Sequence, residues 1–291
     1  MIIHVDMDCF FASVSTRGVP ELEGRAVAVS HSPNETGRGE VSAANYAARA
    51  RGVRANMRMC DAVELCPDLV VMPYDFDAYT EASEAVYRVI LSIVGANRVK
   101  PHSCDEAYLD ATGLGDPLVL AGRIRTAIRE ATGLPASCGC GPNTLMAMLA
   151  TRKAKPDGAA YITQAEAEAH IQSLPAKDLP GVGWRTARKL DELGVRTCAD
   201  VKRLSRTKLA AVLGAQLGAD LYKYCRGIDD RPFELSKERK SVQAECNYGI
   251  RLDNVPMAEH FVRQCAEEAC NRLREAKRLK GWIDEAVAGG A

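Results

Sequence analysis

The chain has 291 residues, 47% of them hydrophobic and 26% charged, with 38 Lys and Arg balancing 38 Asp and Glu. That length and apolar content suit two or three compact units with ordinary cores, and they exclude a disordered or fibrous chain. No run of eighteen apolar residues occurs and the first residues already read as a strand, so neither a membrane span nor a secretory leader is expected.

Eleven cysteines, an odd number without a secretory context, read as reduced thiols that pack like small hydrophobes in a cytosolic or nuclear protein. Cys138 and Cys140 form a CxC pair, but small residues flank them and none of the five histidines clusters with them. A buried strand fits better than zinc, which needs four convergent ligands. The neutral total conceals an asymmetry. Residues 176–240 hold fifteen Lys and Arg against nine acids, a net +6, so the remainder is −6. Acids gathered around metals in one lobe and bases in another would produce that split.

In chain order, Ile3 and Val5 alternate with His4 and Asp6, which predicts a strand over 1–7 ending on Asp6 and Asp8. A polar, small-residue insert follows to Cys66, then an apolar run, LVVMP, at 69–73. Residues 76–94 read as an amphipathic helix with Tyr79, Val86, Ile90 and Ile93 on one side. Two strands, RVKPH and DEAYLD, come next, and the second carries Asp105 and Glu106 inside an apolar run. Unpaired charges are costly to bury, so such acids need a compensating charge, most economically a metal ion. A helix over 116–132 and a strand, LPASCGCG, complete the set. Without the insert the order is β-α-β-β-α-β, a ferredoxin-like arrangement whose first and third strands are central neighbours. Asp6, Asp105 and Glu106 are then expected to meet at one end of the sheet.

A helix beginning at Pro142 and Asn143 ends at Pro156 and Gly158. LPAKDLPGVGWRTARKL then reads as helix, tight glycine turn, helix. There Gly181, Val182 and Gly183 offer backbone N–H groups beside Trp184 and Arg185, a site for DNA phosphates, with an ordinary αα-hairpin as the alternative. Short helices reach Arg226, and GIDDRPFELSKERKS lacks periodicity and reads as a linker. A strand over 242–251 and a helix over 257–277, with Met257, Phe261, Cys265, Ala269 and Leu273 as its apolar stripe, end the chain.

Three carboxylates without a histidine cluster favour Mg²⁺ over zinc. Two such ions could activate a hydroxyl, hold a triphosphate and stabilise leaving pyrophosphate in an in-line displacement. Tyr46 and Arg49, three apart on a helix, offer a phenol and a guanidinium to phosphates, and Lys155 offers an ammonium. Each of these alone is more often a solvated surface residue, and it is their spacing relative to the acids that favours the phosphate role. Phe10 is expected in the core at the edge of the nucleotide site, whereas Phe11 could lie under a bound sugar and exclude a ribose 2′-OH.

DMDCFFASV, NYAAR, SCDEAYLD, AKPDG and LPGVGWRTARKL, in that order between residues 1 and 252, resemble the Y-family of translesion DNA polymerases. ATRKAKPDG and YCRGIDDRPFELSKERKSVQAECNYGIR are similar to its eukaryotic deoxycytidyl transferase branch, and Thr144 stands where most other members carry lysine. The resemblance implies an α+β fold. A ferredoxin-like palm would span 1–17 and 74–163, inserted fingers 18–73, an all-α helix-hairpin-helix thumb 164–232, a linker 233–241 and an incomplete little finger domain 242–291. Asp6, Asp105 and Glu106 would be catalytic metal ligands for two Mg²⁺ ions, with the Met7 carbonyl assisting. Phe10 and Phe11 would border the nucleotide, Phe11 as a steric gate, and Tyr46, Arg49 and Lys155 would hold its triphosphate. Asp8 would be structural.

The implied partners are primer-template DNA and a dNTP, dCTP by resemblance, in the nucleus and away from membranes, with partner polymerases recruited by the full-length protein. Two departures limit this. In that branch an arginine from before the first palm strand pairs with dCTP, and this sequence opens on that strand, so dCTP choice is not assigned. The little finger is four-stranded in the family, but residues 242–291 suffice for one strand and one helix, which are expected to be loosely held or packed on a neighbouring molecule. The alternatives are a general Y-family polymerase without dCTP preference and a catalytically silent DNA-binding scaffold.

Overall fold

The strand β1 (Ile2–Met7) lies at the centre of a five-stranded sheet and is buried on both faces. It pairs antiparallel with β6 (Glu106–Asp110) on one side and with β7 (Ala136–Gly141) on the other. β5 (Val99–Pro101) flanks β6 and β8 (Ala159–Tyr161) runs parallel to β7, giving the order β5-β6-β1-β7-β8. The expected central pairing of first and third strands is therefore present. The fifth strand, β8, was not anticipated, because three residues, AAY, are too few to show alternation. The computed structural model describes residues 1–31, 39–235, 241–246, 250 and 252–288, with backbone alone for 277–288.

One face of the sheet is covered by α4 (Phe76–Val94) and α5 (Pro117–Thr132). Both begin where side chains can satisfy free helical N–H groups: Asp75 accepts from Ala78 N, and Asp116 accepts from Leu118 N and Val119 N, with Pro117 in the first position. Tyr79, Val86, Ile90, Ile124 and Ile128 pack there on Ile3, Val5, Leu109, Cys138 and Cys140. The opposite face receives α6 (Thr144–Ala154), capped by Asn143, which accepts from Met146 N.

The CGCG run of β7 divides between these two layers. Its cysteines join the core under α4 and α5, and its glycines admit α6: a Cβ on Gly139 would lie 2.1 Å from Thr151 N and 2.2 Å from Ala147 O. Cys138 and Cys140 are free thiols in a buried strand, as the small flanking residues suggested.

Between β1 and α4 the chain forms α1 (Phe10–Thr16), α2 (Tyr46–Ala50), α3 (Met59–Leu65) and a second sheet. That sheet has the order β3-β2-β4, from β2 (Val27–Val29), β3 (Ala43–Ala44) and β4 (Val70–Met72). It encloses a small-residue core of Ala28, Val41, Ala48, Val53, Met59 and Cys66. β2 and β3 escaped sequence reading because two or three Ala and Val residues carry no period.

Beyond β8, five helices follow: α7 (Gln164–Gln172), α8 (Trp184–Asp191), α9 (Cys198–Arg203), α10 (Arg206–Leu213) and α11 (Ala215–Tyr224). Leu190, Val201, Leu209 and Leu221 pack with Leu145, Met146 and Leu149, so α6 lies between the sheet and this helical core. The hairpin before α8 needs one correction. Its expected first helix is a single 3₁₀ turn, Ala176–Asp178, because Pro175 and Pro180 bracket it and leave no room for α-helical hydrogen bonding.

The aperiodic stretch from Gly227 is also not a free linker at its start. The fully buried Asp229 side chain accepts from Thr144 Oγ1 at 2.5 Å, from Leu145 N at 3.1 Å and from Arg231 Nε at 2.7 Å. Asn143 Nδ2 donates to Gly227 O at 2.9 Å. The stretch thus docks on the N-terminus of α6. Met1–Leu235 forms one unit and Ser236–Ala291 a second. In the second unit the strand expected over 242–251 is absent among the described residues 242–246 and 250, and 247–249 and 251 lie outside them. A strand needs a ladder partner, and none is found among the described residues there. The helix expected over 257–277 is longer, α12 (Val255–Ala288), with Phe261, Cys265 and Ala269 half-buried and Met257 and Leu273 exposed.

Gly139→Ala is expected to destabilise the protein by about 3 kcal/mol in urea unfolding, since backbone atoms of α6 must move. Gly122→Ala in α5, where a Cβ meets nothing within 4 Å, is expected to be neutral or to stabilise by up to ~1 kcal/mol. Equal effects at the two positions would contradict this packing.

Candidate active site

The register of β1 and β6 sets Asp6 directly opposite Glu106, and Met7 N donates to the carbonyl of Asp105 at 3.0 Å. The three acids singled out in the sequence thus share one end of the sheet. Asp6, Met7 and Asp105 border an open cavity of about 400 Å³ together with Phe11, Arg49 and Lys155. Lys155 caps the C-terminus of α6 and donates to Asp6 Oδ1 at 2.6 Å and to the Met7 carbonyl at 3.2 Å. Burial pushes the Asp6 carboxyl above its ordinary value, and the charge and hydrogen bond of Lys155 offset only part of that.

Glu106 is held differently. Its Oε1 lies 2.6 Å from His4 Nε2, and its Oε2 lies 3.7 Å from the exposed His102. Burial pushes its carboxyl up, but the hydrogen bond and charge of His4, with the charges of His102 and Lys155, together outweigh this, and the net shift is downward. Asp105 accepts from Ser103 Oγ at 2.5 Å. Among the described residues, no group of three His, Cys, Asp or Glu side chains converges at metal-ligand spacing. Each acid is instead turned toward a donor of the protein. The donor set itself, carboxylate and carbonyl oxygens on one cavity wall beside two cationic side chains, fits a hard cation such as Mg²⁺.

Asp8, set aside as structural, is the junction of the site. It is buried and accepts from Tyr46 OH at 2.9 Å, Ser137 Oγ at 2.9 Å and Asp157 N at 2.7 Å. It thereby ties α2 to β7 and to the turn after Lys155. Burial, followed by the neighbouring Asp8, pushes the Tyr46 phenol far above its ordinary value, so it stays a donor. Arg49 Nε donates to Ala44 O at 2.8 Å, which fixes the root of the guanidinium while it reaches the cavity.

Cys9 adopts φ 50°, a left-handed conformation uncommon outside glycine, and so turns the chain sharply from β1 into α1. Phe10 then packs in the core at 4% exposure, as expected, and borders the cavity together with Phe11, which stacks on Tyr79 with ring centroids 4.2 Å apart. At the thumb turn, Gly181 has φ +82° and Gly183 caps α8 without a side chain. Trp184 is 72% exposed, with the Arg185 guanidinium 5.1 Å from its ring. Val182 is buried and anchors the turn rather than facing outward. His4, Tyr79 and Ser137 were missed as members of the site. Only His4 left a trace in the sequence, as a polar residue on the same strand face as Asp6.

Residues 5–152 match the impB/mucB/samB family, 177–229 match the polymerase-iota thumb domain, and 239–283 match the impB/mucB/samB C-terminal domain. A solved Y-family DNA polymerase chimera of Dbh and Dpo4 superposes with a TM-score of 0.82 at 28% identity, covering 93% of this chain and 79% of that one. The chain belongs to the Y-family of DNA polymerases. Among Y-family relatives, DNA repair protein REV1 of Arabidopsis thaliana is 42% identical over 96% of this chain, and Rev1 of Drosophila melanogaster 32% over 95%. The chain spans 26% and 33% of the lengths of these two. DNA polymerase IV 2 of Agrobacterium fabrum is 39% identical over 96% of this chain, which spans 78% of it. The Y-family fold accounts for the sheet, the inserted small domain and the helical unit with its glycine turn.

Asp8→Asn is expected to cost about 2–3 kcal/mol in urea unfolding, because an amide NH₂ would face donors already aimed at the carboxylate. Tyr46→Phe removes one of those donors and is expected to cost about 1 kcal/mol. A larger loss for Tyr46→Phe than for Asp8→Asn would refute Asp8 as the junction.

Proposed function

We propose that this polypeptide transfers a nucleotide from a dNTP, preferentially dCTP, to the 3′ end of a DNA primer in template-directed translesion synthesis. The observation that carries this reading is the meeting of Asp6, Asp105 and Glu106 at one sheet end, beside a cavity that Arg49 and Lys155 face and Phe11 borders. Asp6, Asp105, Glu106 and the Met7 carbonyl would hold two Mg²⁺ ions. Bound there, the ions would supply Lewis acidity toward the primer hydroxyl and the triphosphate.

The chain's own residues then divide the remaining tasks. Lys155 and Arg49 bind the triphosphate, with Tyr46 at its edge, and the Asp8 junction keeps Tyr46 and the Lys155 turn at fixed spacing. Phe11, backed by the Tyr79 ring, excludes a 2′-hydroxyl and so favours deoxyribose. The turn at Gly181 and Gly183 presents N–H groups to DNA phosphates, with Trp184 and Arg185 alongside and Val182 as its buried anchor. The domain limits that fit this reading are a palm at 1–17 and 74–163, fingers at 18–73, a thumb at 164–232 and a partial little finger from 242.

The deoxycytidyl transferase resemblance and the 42% identity to the plant REV1 support dCTP, a nuclear setting and, in longer relatives, recruitment of partner polymerases. A second reading, a Y-family polymerase that copies by ordinary base pairing, is favoured by the 39% identity to a polymerase IV of which the chain spans 78%.

Replacing Asp105 and Glu106 together by alanine is expected to lower primer extension at least about a thousandfold, ~4 kcal/mol of barrier, with circular dichroism and thermal unfolding little changed. Extension retained in the double variant would remove these acids from the mechanism. Single-nucleotide incorporation opposite each template base separates the two readings. dCMP added regardless of template supports the transferase, whereas incorporation that follows the template supports the second.

A further inference from the structure

We infer that His4 is a positioning residue that holds Glu106 in the orientation the metal-binding edge of the sheet requires. The inference rests on the reading of Glu106 as a metal ligand. His4 is 1% exposed between β1 and α6, and its Nε2 lies 2.6 Å from Glu106 Oε1. An ionised carboxylate only accepts, so Nε2 is the donor. The other ring nitrogen, Nδ1, lies 2.8 Å from the hydroxyl of buried Thr151 on α6. Thr151 Oγ1 is also 3.1 Å from the carbonyls of His4 and Ala147.

The chain of contacts is fixed from behind as well. A Cβ on Gly139 would stand 2.5 Å from Thr151 Oγ1, so the bare glycine leaves room for that hydroxyl at the imidazole. Tyr108 covers the His4 ring with centroids 4.4 Å apart. The imidazole therefore cannot swing, and it engages one oxygen of Glu106. The second oxygen stands 3.7 Å from the exposed His102, too far for a hydrogen bond, which leaves it for a cation. Lys155 treats Asp6 otherwise, since its ammonium lies on the cavity side and competes for the same oxygen a cation would use. His4 and Asp6 are two apart on one face of β1, which sets the imidazole behind the carboxylates and Asp6 at the cavity. Carboxylates that ligate metals depend on such outer hydrogen bonds, and losing one costs about 10–100-fold in affinity or activity.

The test uses Mn²⁺ as probe, its binding to the whole chain followed by electron paramagnetic resonance without DNA or nucleotide, with thermal unfolding as the folding control. His4→Leu is expected to weaken Mn²⁺ binding about tenfold or more, and His4→Gln, whose amide N–H can reach the same oxygen, to recover most of the loss. Thr151→Val, isosteric but unable to fix the ring, is expected to fall between them. Glu106→Ala separates the inference from its premise. Unchanged Mn²⁺ affinity in that variant removes the metal-ligand reading and this inference with it. Loss in Glu106→Ala with parent-like binding in His4→Leu overturns the positioning role alone, as does a loss in His4→Leu that His4→Gln does not repair. Should His4→Leu fail to fold, parent-like binding in Thr151→Val overturns it.

Discussion

The antiparallel register between β1 and β6 is the constraint on which the rest of this structure leans. It sets Asp6 opposite Glu106, and like charges directly across a ladder repel. The pairing persists because each carboxylate is met from the same side of the sheet. Lys155 reaches Asp6 from the C-terminus of α6, and His4, steadied by Thr151 of the same helix, reaches Glu106. Both compensations require α6 to lie almost on the sheet, which the two glycines of β7 permit. A functional arrangement at one sheet edge thus depends on missing side chains in the strand next door.

The small inserted domain is joined to this edge through buried polar contacts rather than through apolar burial alone. Asp8 gathers donors from α2, β7 and the turn after Lys155, and the left-handed Cys9 brings the following aromatic pair to the cavity, both rings beside Tyr79. Phe10 belongs to the core, Phe11 packs against it, and both border the cavity. Local backbone strain at Cys9 is tolerated where it aims a side chain at a functional surface.

Much of this was legible in the sequence where local chemistry decides the outcome. Asp116 with Pro117, and Asn143 before an apolar run, announced helix starts because capping is a matter of neighbouring residues. The alternation in β1 and the acids in DEAYLD were enough to bring three carboxylates together once the strand order was inferred. What stayed hidden depends on partners far away in the chain. His4 and Thr151 are 147 residues apart, and the docking of Asp229 on Thr144 spans 85. Neither is visible in a local pattern. The first half of the thumb hairpin was overread because a helical composition was given more weight than its two bracketing prolines. The short strands β2, β3 and β8 exist through pairing, which a periodicity of two or three residues cannot express.

The CGCG strand has a bearing on how the sheet assembles. Its two faces make opposite demands, thiols filling one layer and bare backbone admitting a helix in the other. A shift of one residue would drive Cys138 or Cys140 into the path of α6 while leaving holes beneath α4 and α5. The strand therefore accepts a single reading frame against β1, and a pairing shifted by one residue is rejected sterically. Four residues with no chemistry of their own act as the alignment key that lets acids 100 positions apart, Asp6 and Glu106, arrive face to face.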